Sequence, residues 1–421
     1  MLDIKFIREN QKVVEDTLHK RQIKGVDISK ILKFDDDRRK LILEVDKLRH
    51  ERNRAAVQRD VTKGKKIKEL LHKKEKSLNV LEKELEEKLL ELPNIILEGV
   101  PTGDETANEV LKKVGSLPKF DFVPKDHVEL GEVLDIIDIP RAAKVSGTRF
   151  GYLKNEAVLL EFALIQFAFD ILIKDGFIPL VTPVLIKKEI TEGLGYWQGG
   201  GNENFYLVSD YEIGGAQDGK PLPLYLIGTS EHVVVPMHSG EIFAEGNLPK
   251  RYVAFSSCFR REAGSYGRDT RGILRVHQFD KVEMVTFTKP EDDKSEREKL
   301  LSLAENFVRS LELPFQLVKL ASGDLAFPCA ETVDIETWIP SQNKYRETHS
   351  ISTTTDFQAR RLNIKYDKGG VKEFVHILNG TAFAIGRTLI AILENKQLKD
   401  GSVVVPKALR RYTNFSKISP K

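Results

Sequence analysis

Across residues 35–92 apolar side chains recur every three or four positions, at Leu41, Val45, Leu48 and Ala55 and then at Leu71, Leu78, Leu81, Leu85, Leu89 and Leu92. Charged residues fill the intervals, a pattern that lines one face of each of two paired helices. The stretch has no proline, and its one glycine, in Thr62-Lys63-Gly64, marks the expected break. Two helices of similar length joined by one turn should fold back as an antiparallel hairpin, each arm roughly 40 Å long at about 1.5 Å per residue. A shorter amphipathic run over residues 4–17, carrying Ile4, Ile7, Val13 and Val14, predicts a docking helix. Pro93-Asn94 and Val100-Pro101-Thr102-Gly103 stop the second long helix and open a linker. The expected domains are therefore residues 1–107, containing the arm at about 35–92, and residues 108–421.

Beyond residue 110 the pattern changes. Strand-like runs at 177–183, 206–208, 252–259, 273–287, 314–320 and 332–338 alternate with helical ones at 157–174, 291–311 and 381–393. Many hairpin-linked strands and few crossover helices predict an α+β domain built on an antiparallel sheet.

Charge sharpens the reading of the arm. The 421-residue chain carries a formal net charge of only +3, yet residues 47–76 hold 12 Lys or Arg against 4 Asp or Glu. A helical rod with a basic distal half suits a phosphate backbone, whose binding is driven by counterion release; a solvated oligomerisation coil is the bland alternative. Cys258 and Cys329, the two cysteines, lie far apart, which argues against structural disulfides and a cysteine zinc site. Residues 1–10 lack the apolar core of a signal peptide, and no stretch is long and apolar enough to span a bilayer, so a cytoplasmic location is expected.

Four segments carry candidate chemistry. The first is FRREAGSYGRDTRGILRVHQFDKVE, residues 259–283, in which Gly264, Gly267 and Gly272 supply a turn between two strands. Arg260 and Glu262, two apart on a strand, should share a face, where a guanidinium can grip a carboxylate or phosphate. Arg268, Arg271 and Arg275 extend the cationic reach, and Phe279 offers a face for a base. In the second, Thr229, Ser230 and Glu231 follow a strand-like run at 224–227 and could hold an ammonium group, although an N-cap explains the hydroxyls equally well. The third, Tyr345-Arg346-Glu347-Thr348-His349-Ser350, offers hard oxygen ligands of the kind Mg²⁺ takes alongside nucleotide phosphates, or is simply a polar loop. The fourth places Arg387 within the apolar run after Asn379-Gly380-Thr381, a costly position unless it meets an anion.

These segments, in this order behind a basic helical hairpin, resemble the seryl-tRNA synthetases, class II enzymes of bacterial type, along essentially the whole chain. GFIPLVTP at 176–183, the 259–283 segment and NGTAFAIGRTL at 379–389 correspond to the three class II signatures. The resemblance implies a class II catalytic domain behind an N-terminal tRNA-binding domain. It implies a cytoplasmic homodimer, joined through the first signature, that uses L-serine, ATP, Mg²⁺ and tRNA(Ser), without zinc. It further implies that Thr229, Ser230, Glu231, Arg260, Glu283 and Thr381 hold serine, Glu231 meeting its ammonium. ATP would engage Arg260, Arg261, Glu262, Val276, Phe279, Glu347, Thr348, His349, Ser350 and Arg387. In that scheme Phe279 stacks on adenine, Glu347 and Ser350 hold Mg²⁺, and Arg260 and Arg387 are catalytic.

The family's reaction runs through seryl-adenylate to seryl-tRNA, and charging of tRNA(Sec) stays open. A synthetase-like tRNA-binding protein without activity is the alternative, and it would be expected to have lost Arg260, Glu262 or Arg387, all of which are present. Two departures from the family pattern are Thr353, where asparagine is common, and Glu331, where lysine is common; the arm is also a few residues short at its tip.

Overall fold

The computed structural model describes residues 1–198, 201–208, 216–217, 220–221, 223–263 and 271–421. The chain divides into two compact units, Met1–Ile95 and Ile96–Lys421.

The first unit is helical. The expected N-terminal helix is two, α1 (Ile4–Glu9) and α2 (Gln11–Lys20), parted at Asn10, with Ile7 and Val14 turned inward and Val13 left outside. Two 30-residue helices follow, α3 (Ile28–Val57) and α4 (Val61–Leu90), and they pair with each other. Arg8 and Arg38 both reach the fully buried Asp35, tying α1 to α3. The seam is the one the heptads mark: Val45, Ala55, Leu71, Leu85 and Leu89 are buried, while Leu41, Leu48, Leu78 and Leu81 are half-buried. Across it Arg49 meets Glu75 at 2.9 Å and Lys74 meets Glu44 at 2.7 Å, solvent-exposed pairs that fix the register more than they stabilise the arm.

The turn sits earlier than Thr62-Lys63-Gly64. It occupies Gln58, Arg59 and Asp60, with Arg59 at φ +56° and the Asp60 carboxylate accepting from the Lys63 N–H at 2.9 Å. An aspartate N-cap contributes about 1 kcal/mol, whereas glycine inside a helix costs no more than that, so the cap sets the boundary and Gly64 joins the first turn.

The second unit is organised on an eight-stranded sheet. Its strands are β1 (Glu109–Val114), β2 (Ile178–Val181), β3 (Lys250–Phe259), β4 (Gln278–Thr288), β5 (Phe315–Lys319), β6 (Glu331–Ile339), β7 (Lys344–Thr353) and β8 (His376–Ala384). The spatial order is β1-β5-β6-β7-β8-β4-β3-β2, and every pairing is antiparallel except that of edge strand β2 with β3. Helices α5 (Glu156–Lys174), α6 (Asp293–Ser310) and α7 (Ile385–Asn395) contribute Leu160, Leu164, Phe167, Phe307, Leu389 and Leu393 to one core with Val282, Met284, Ile335 and Ile351 of the sheet. A second core gathers Val285, Phe287, Ile377 and Tyr366.

Three sequence expectations change here. The strand expected over 273–287 begins only at Gln278. The polar segment Tyr345–Ser350 lies within strand β7 rather than in a loop. The helix expected from 381 starts at Ile385, because Thr381 to Ala384 complete β8. In β7 and β8 one face carries hydroxyls and amides that look into a cavity, so the buried strands lack the apolar alternation that would announce them.

Candidate active site

Period two sorts the central strands. Met284 on β4, Ile335 on β6 and Ile351 on β7 turn into the first core, while Phe279, Lys281 and Glu283 on β4, Asp334 on β6, Ser350 and Ser352 on β7 and Asn379 and Thr381 on β8 line one cavity of about 590 Å³. The 228–231 turn, the leg after β3 and the start of α7 complete its wall with Thr229, Glu231, Arg260, Glu262 and Arg387.

Two carboxylates of the lining are held differently. Glu231 is 2% exposed and accepts from Tyr196 Oη at 2.9 and 3.0 Å and from Gln358 Nε2 at 2.9 Å. Burial pushes its pKa up to about 7 against those hydrogen bonds, with the charge of Glu283 adding to the rise. Glu283 is instead paired with Lys281 at 2.7 Å and accepts from the Thr381 hydroxyl at 3.2 Å. Glu231 is thus a buried acid without a cationic partner of its own, poised to take one. The Thr229 hydroxyl accepts from the Glu231 N–H at 3.3 Å while its side chain lines the cavity, and Ser230, at the N-cap position of the short helix Glu231–Val234, makes no capping hydrogen bond, so the N-cap reading of these hydroxyls does not hold. Ser230 points away and bonds to the Ser256 hydroxyl at 2.8 Å. Beside them His232 is neutral: burial, with Arg260 and Lys281 adding, holds its pKa down at about 3, and its Nδ1 accepts from the Gly228 N–H at 3.3 Å.

Arg260 lines the same cavity. Its Nε donates to the Gly228 carbonyl at 3.2 Å, and its guanidinium carbon lies 5.3 Å from the centre of the Phe279 ring. Arg260 and Glu262 share the cavity for a different reason than two-residue strand spacing. Pairing of β3 with β4 ends at Phe259 and Gln278, and Glu262 adopts φ +53°. Glu262 is then gripped by Arg275 at 2.9 Å, so Arg275 is engaged rather than reaching outward. Arg261 lies outside the cavity lining, its N–H donating to the Asn204 carbonyl at 3.0 Å.

The Glu347–Arg387 pair also lines the cavity. Arg387 Nη1 lies 3.1 Å from the Glu347 carboxylate and donates to its carbonyl at 3.0 Å. Enclosure would raise the Glu347 pKa, but Arg387 and Arg260 outweigh it and hold the group below the usual carboxylate range. Thr348 and Ser350 face the cavity, whereas His349 is buried with its ring 5.7 Å from Phe383 and does not line it. No three His, Cys, Asp or Glu side chains converge on a metal-binding point among the described residues. Glu347 and Ser350 are hard oxygen donors on one wall, a partial set that fits Mg²⁺ arriving with phosphate ligands.

The 259–283 segment is anchored at both described ends. The Ala263 N–H donates to Asn204 Oδ1 at 3.1 Å; on the returning leg Arg271 pairs with Asp126 at 3.1 Å and the Ile273 N–H donates to His127 Nε2 at 3.3 Å. His127 is oriented by Glu394, 3.0 Å from Nδ1. Gly272 has φ +79°, and a Cβ there would lie 2.0 Å from His127 Nε2, so this is the glycine the turn requires. Gly264, Gly267 and Arg268 lie outside the described residues. Sequence reasoning assigned no role to Lys281, Asn379, Tyr196, Gln358 or Asp334. Strand spacing from Phe279, Glu283 and Thr381 could have supplied the first two.

Two family descriptions match this chain: the tRNA synthetase class II core domain (G, H, P, S and T) over residues 216–396 and the seryl-tRNA synthetase N-terminal domain over residues 1–96. The serine–tRNA ligase of Dictyoglomus thermophilum is 42% identical over 436 aligned positions, covering 100% of both chains. The crystal structure of seryl-tRNA synthetase from Pyrococcus horikoshii complexed with ATP superposes with a TM-score of 0.93 at 39% identity over 100% of both chains. Cytoplasmic serine–tRNA ligase from Naegleria fowleri in complex with AMP gives 0.90 at 32% identity, covering 100% of this chain and 99% of that one. An antiparallel sheet with an arginine-lined cavity on one face, matched over its centre by that core description, defines a class II aminoacyl-tRNA synthetase. With the arm and the full-length relatives included, the chain belongs to the seryl-tRNA synthetases, the serine–tRNA ligases that attach serine to tRNA.

Proposed function

We propose that this enzyme activates L-serine with ATP in the cavity on the β4–β8 sheet face and then passes the seryl group to tRNA(Ser). Support comes from one observation above others: a buried carboxylate without a cationic partner of its own, the Arg260 guanidinium and the Glu347–Arg387 pair all line a single cavity. Glu231 takes the serine ammonium, with Thr229 beside it. Glu283 and Thr381 meet the serine side chain. Arg260 bridges the serine carboxylate and the α-phosphate of ATP. Phe279 and Glu262 hold the adenine, the Val276 backbone lies along it, and Arg387 receives the γ-phosphate. Ser230, Arg261 and His349 serve through their backbones and by fixing the neighbours that face the cavity.

A serine carboxylate oxygen attacks the α-phosphorus, the bond to the β-phosphate oxygen breaks, and pyrophosphate leaves. A terminal ribose hydroxyl of tRNA then attacks the seryl carbonyl and AMP departs. Magnesium, when bound through Glu347 and Ser350, neutralises phosphate charge. The residues' own contribution is alignment and electrostatic stabilisation, Arg260 and Arg387 facing the charge that develops on phosphate. The N-terminal domain, residues 1–107, offers its basic arm to the tRNA backbone. A selenocysteine tRNA would be charged by the same chemistry, and a charging assay with both tRNAs decides it.

A homodimer forms through edge strand β2 and α5, where Ile178, Val181, Leu159 and Phe162 are exposed. No helix among the described residues is long and apolar enough to cross a membrane; the cytoplasmic location goes with the proposed charging of tRNA. The deciding experiment is serine-dependent ATP/pyrophosphate exchange: Arg260→Ala should lose about a thousandfold in rate, as removal of a transition-state donor does. Undiminished exchange in that variant, or none with serine in the parent, overturns the assignment.

A further inference from the structure

Strands β6 and β7 place polar residues opposite one another on the cavity face. On the first rung Thr332 and Ser352 satisfy each other, hydroxyl to hydroxyl at 2.8 Å. The next rung pairs Asp334 with Ser350 and does not close in the same way. The Ser350 hydroxyl donates to the Asp334 carboxylate, yet Asp334 Oδ1 has no hydrogen-bond partner although the residue is only 7% exposed. It lines the cavity beside Glu347, which the register shift after Ile335 brings to the same wall. An orphaned carboxylate oxygen next to a second carboxylate is costly by desolvation and by repulsion. Arg387 answers the charge of Glu347, and nothing so placed answers Oδ1. A divalent cation would remove both penalties at once.

We propose that Asp334 is a third hard-oxygen ligand, with Glu347 and Ser350, for the divalent cation that enters with ATP; this rests on the ATP reading of the cavity. Two carboxylates and a hydroxyl make a three-oxygen wall, leaving the remaining positions of an octahedral Mg²⁺ to phosphate oxygens and water. The Ser350 hydroxyl then has two jobs, facing the cation with its oxygen while its proton fixes the Asp334 carboxylate.

The test uses the full-length protein with a non-hydrolysable ATP analogue and Mn²⁺, the bound metal being followed by its electron paramagnetic resonance. Asp334→Asn keeps the shape and the Ser350 contact; it should weaken Mn²⁺ about tenfold or more without weakening metal-free analogue binding. Asp334→Cys should show a thiolate-to-cadmium charge-transfer band on adding Cd²⁺ with the analogue, above the background of Cys258 and Cys329 in the parent protein. A residue that merely positions Ser350 gives no such band. Unchanged Mn²⁺ affinity in Asp334→Asn overturns the proposal, and so does an absent cadmium band in folded Asp334→Cys. A parent protein whose analogue binding ignores Mn²⁺ overturns the ATP reading as well, so the two failures are distinguishable.

Discussion

At the scale of single residues the most consequential number is the Glu231 pKa of about 7, raised from 4.5 chiefly by burial. The sign follows from the shift. The folded state holds this proton more tightly than the unfolded chain does, so the stability gained by keeping Glu231 neutral is full below about pH 4.5 and is lost as pH rises through 7. In the proposed function the serine ammonium supplies the missing cation. Its binding should therefore raise the melting temperature more at pH 8 than at pH 6, and kcat/KM for serine in pyrophosphate exchange should fall as pH drops below 7. In Glu231→Gln that pH limb should vanish along with most serine affinity. A profile that keeps the limb would assign it to another group.

The same residue shows where sequence stops. Thr229 to Glu231, Arg260, Ser350 and Arg387 stood out in the sequence as polar or charged side chains beside apolar runs, whereas Glu283 and Thr381 were named only through the resemblance; apart from Ser230, all of them line the one cavity. Tyr196 and Gln358, which set the Glu231 environment, lie 35 positions before it and 127 after it, and no local pattern links them. His349 and Ser230 were named for their motifs, whereas strand and turn geometry sends their side chains elsewhere.

At the scale of elements, the arm was readable because a heptad seam needs no tertiary partner to be recognised. Its turn was misplaced because a cap outweighs a glycine. The pairing of Arg49 with Glu75 and Glu44 with Lys74 brings residues 47 and 76 across from one another. Replacing 47–76 by a short turn should therefore leave the base of the hairpin folded. Serine-dependent exchange should survive, while tRNA charging should be lost and the salt dependence of tRNA binding should flatten. Equal charging by the shortened protein would remove the arm from tRNA recognition. Strands β7 and β8 were the harder case, since their cavity faces are polar and only the register with β6 and β4 reveals them.

At the scale of the whole molecule, β2 leaves a sheet edge with Val181 83% exposed. Val181→Glu should convert a dimer to a monomer in light scattering and lower charging with it. A monomeric parent protein would show that the edge has another partner. The antiparallel α+β sheet was foreseen from hairpin-linked strands and its class II character only from the resemblance, while strands β1, β7 and β8 and the cavity emerged only from the assembled sheet.

Glu331, which stands where the family commonly has lysine, is held between Arg297 at 2.9 Å and Lys319 at 3.3 Å at the start of β6. Glu331→Lys alone would gather three cations at one partly buried point and should lower the melting temperature. Combined with Arg297→Glu, most of that loss should return, and a double-mutant cycle would measure the coupling. The residue tolerated at 331 therefore depends on its partners, and a segment that brought lysine to this position would fail here unless its neighbours were changed with it.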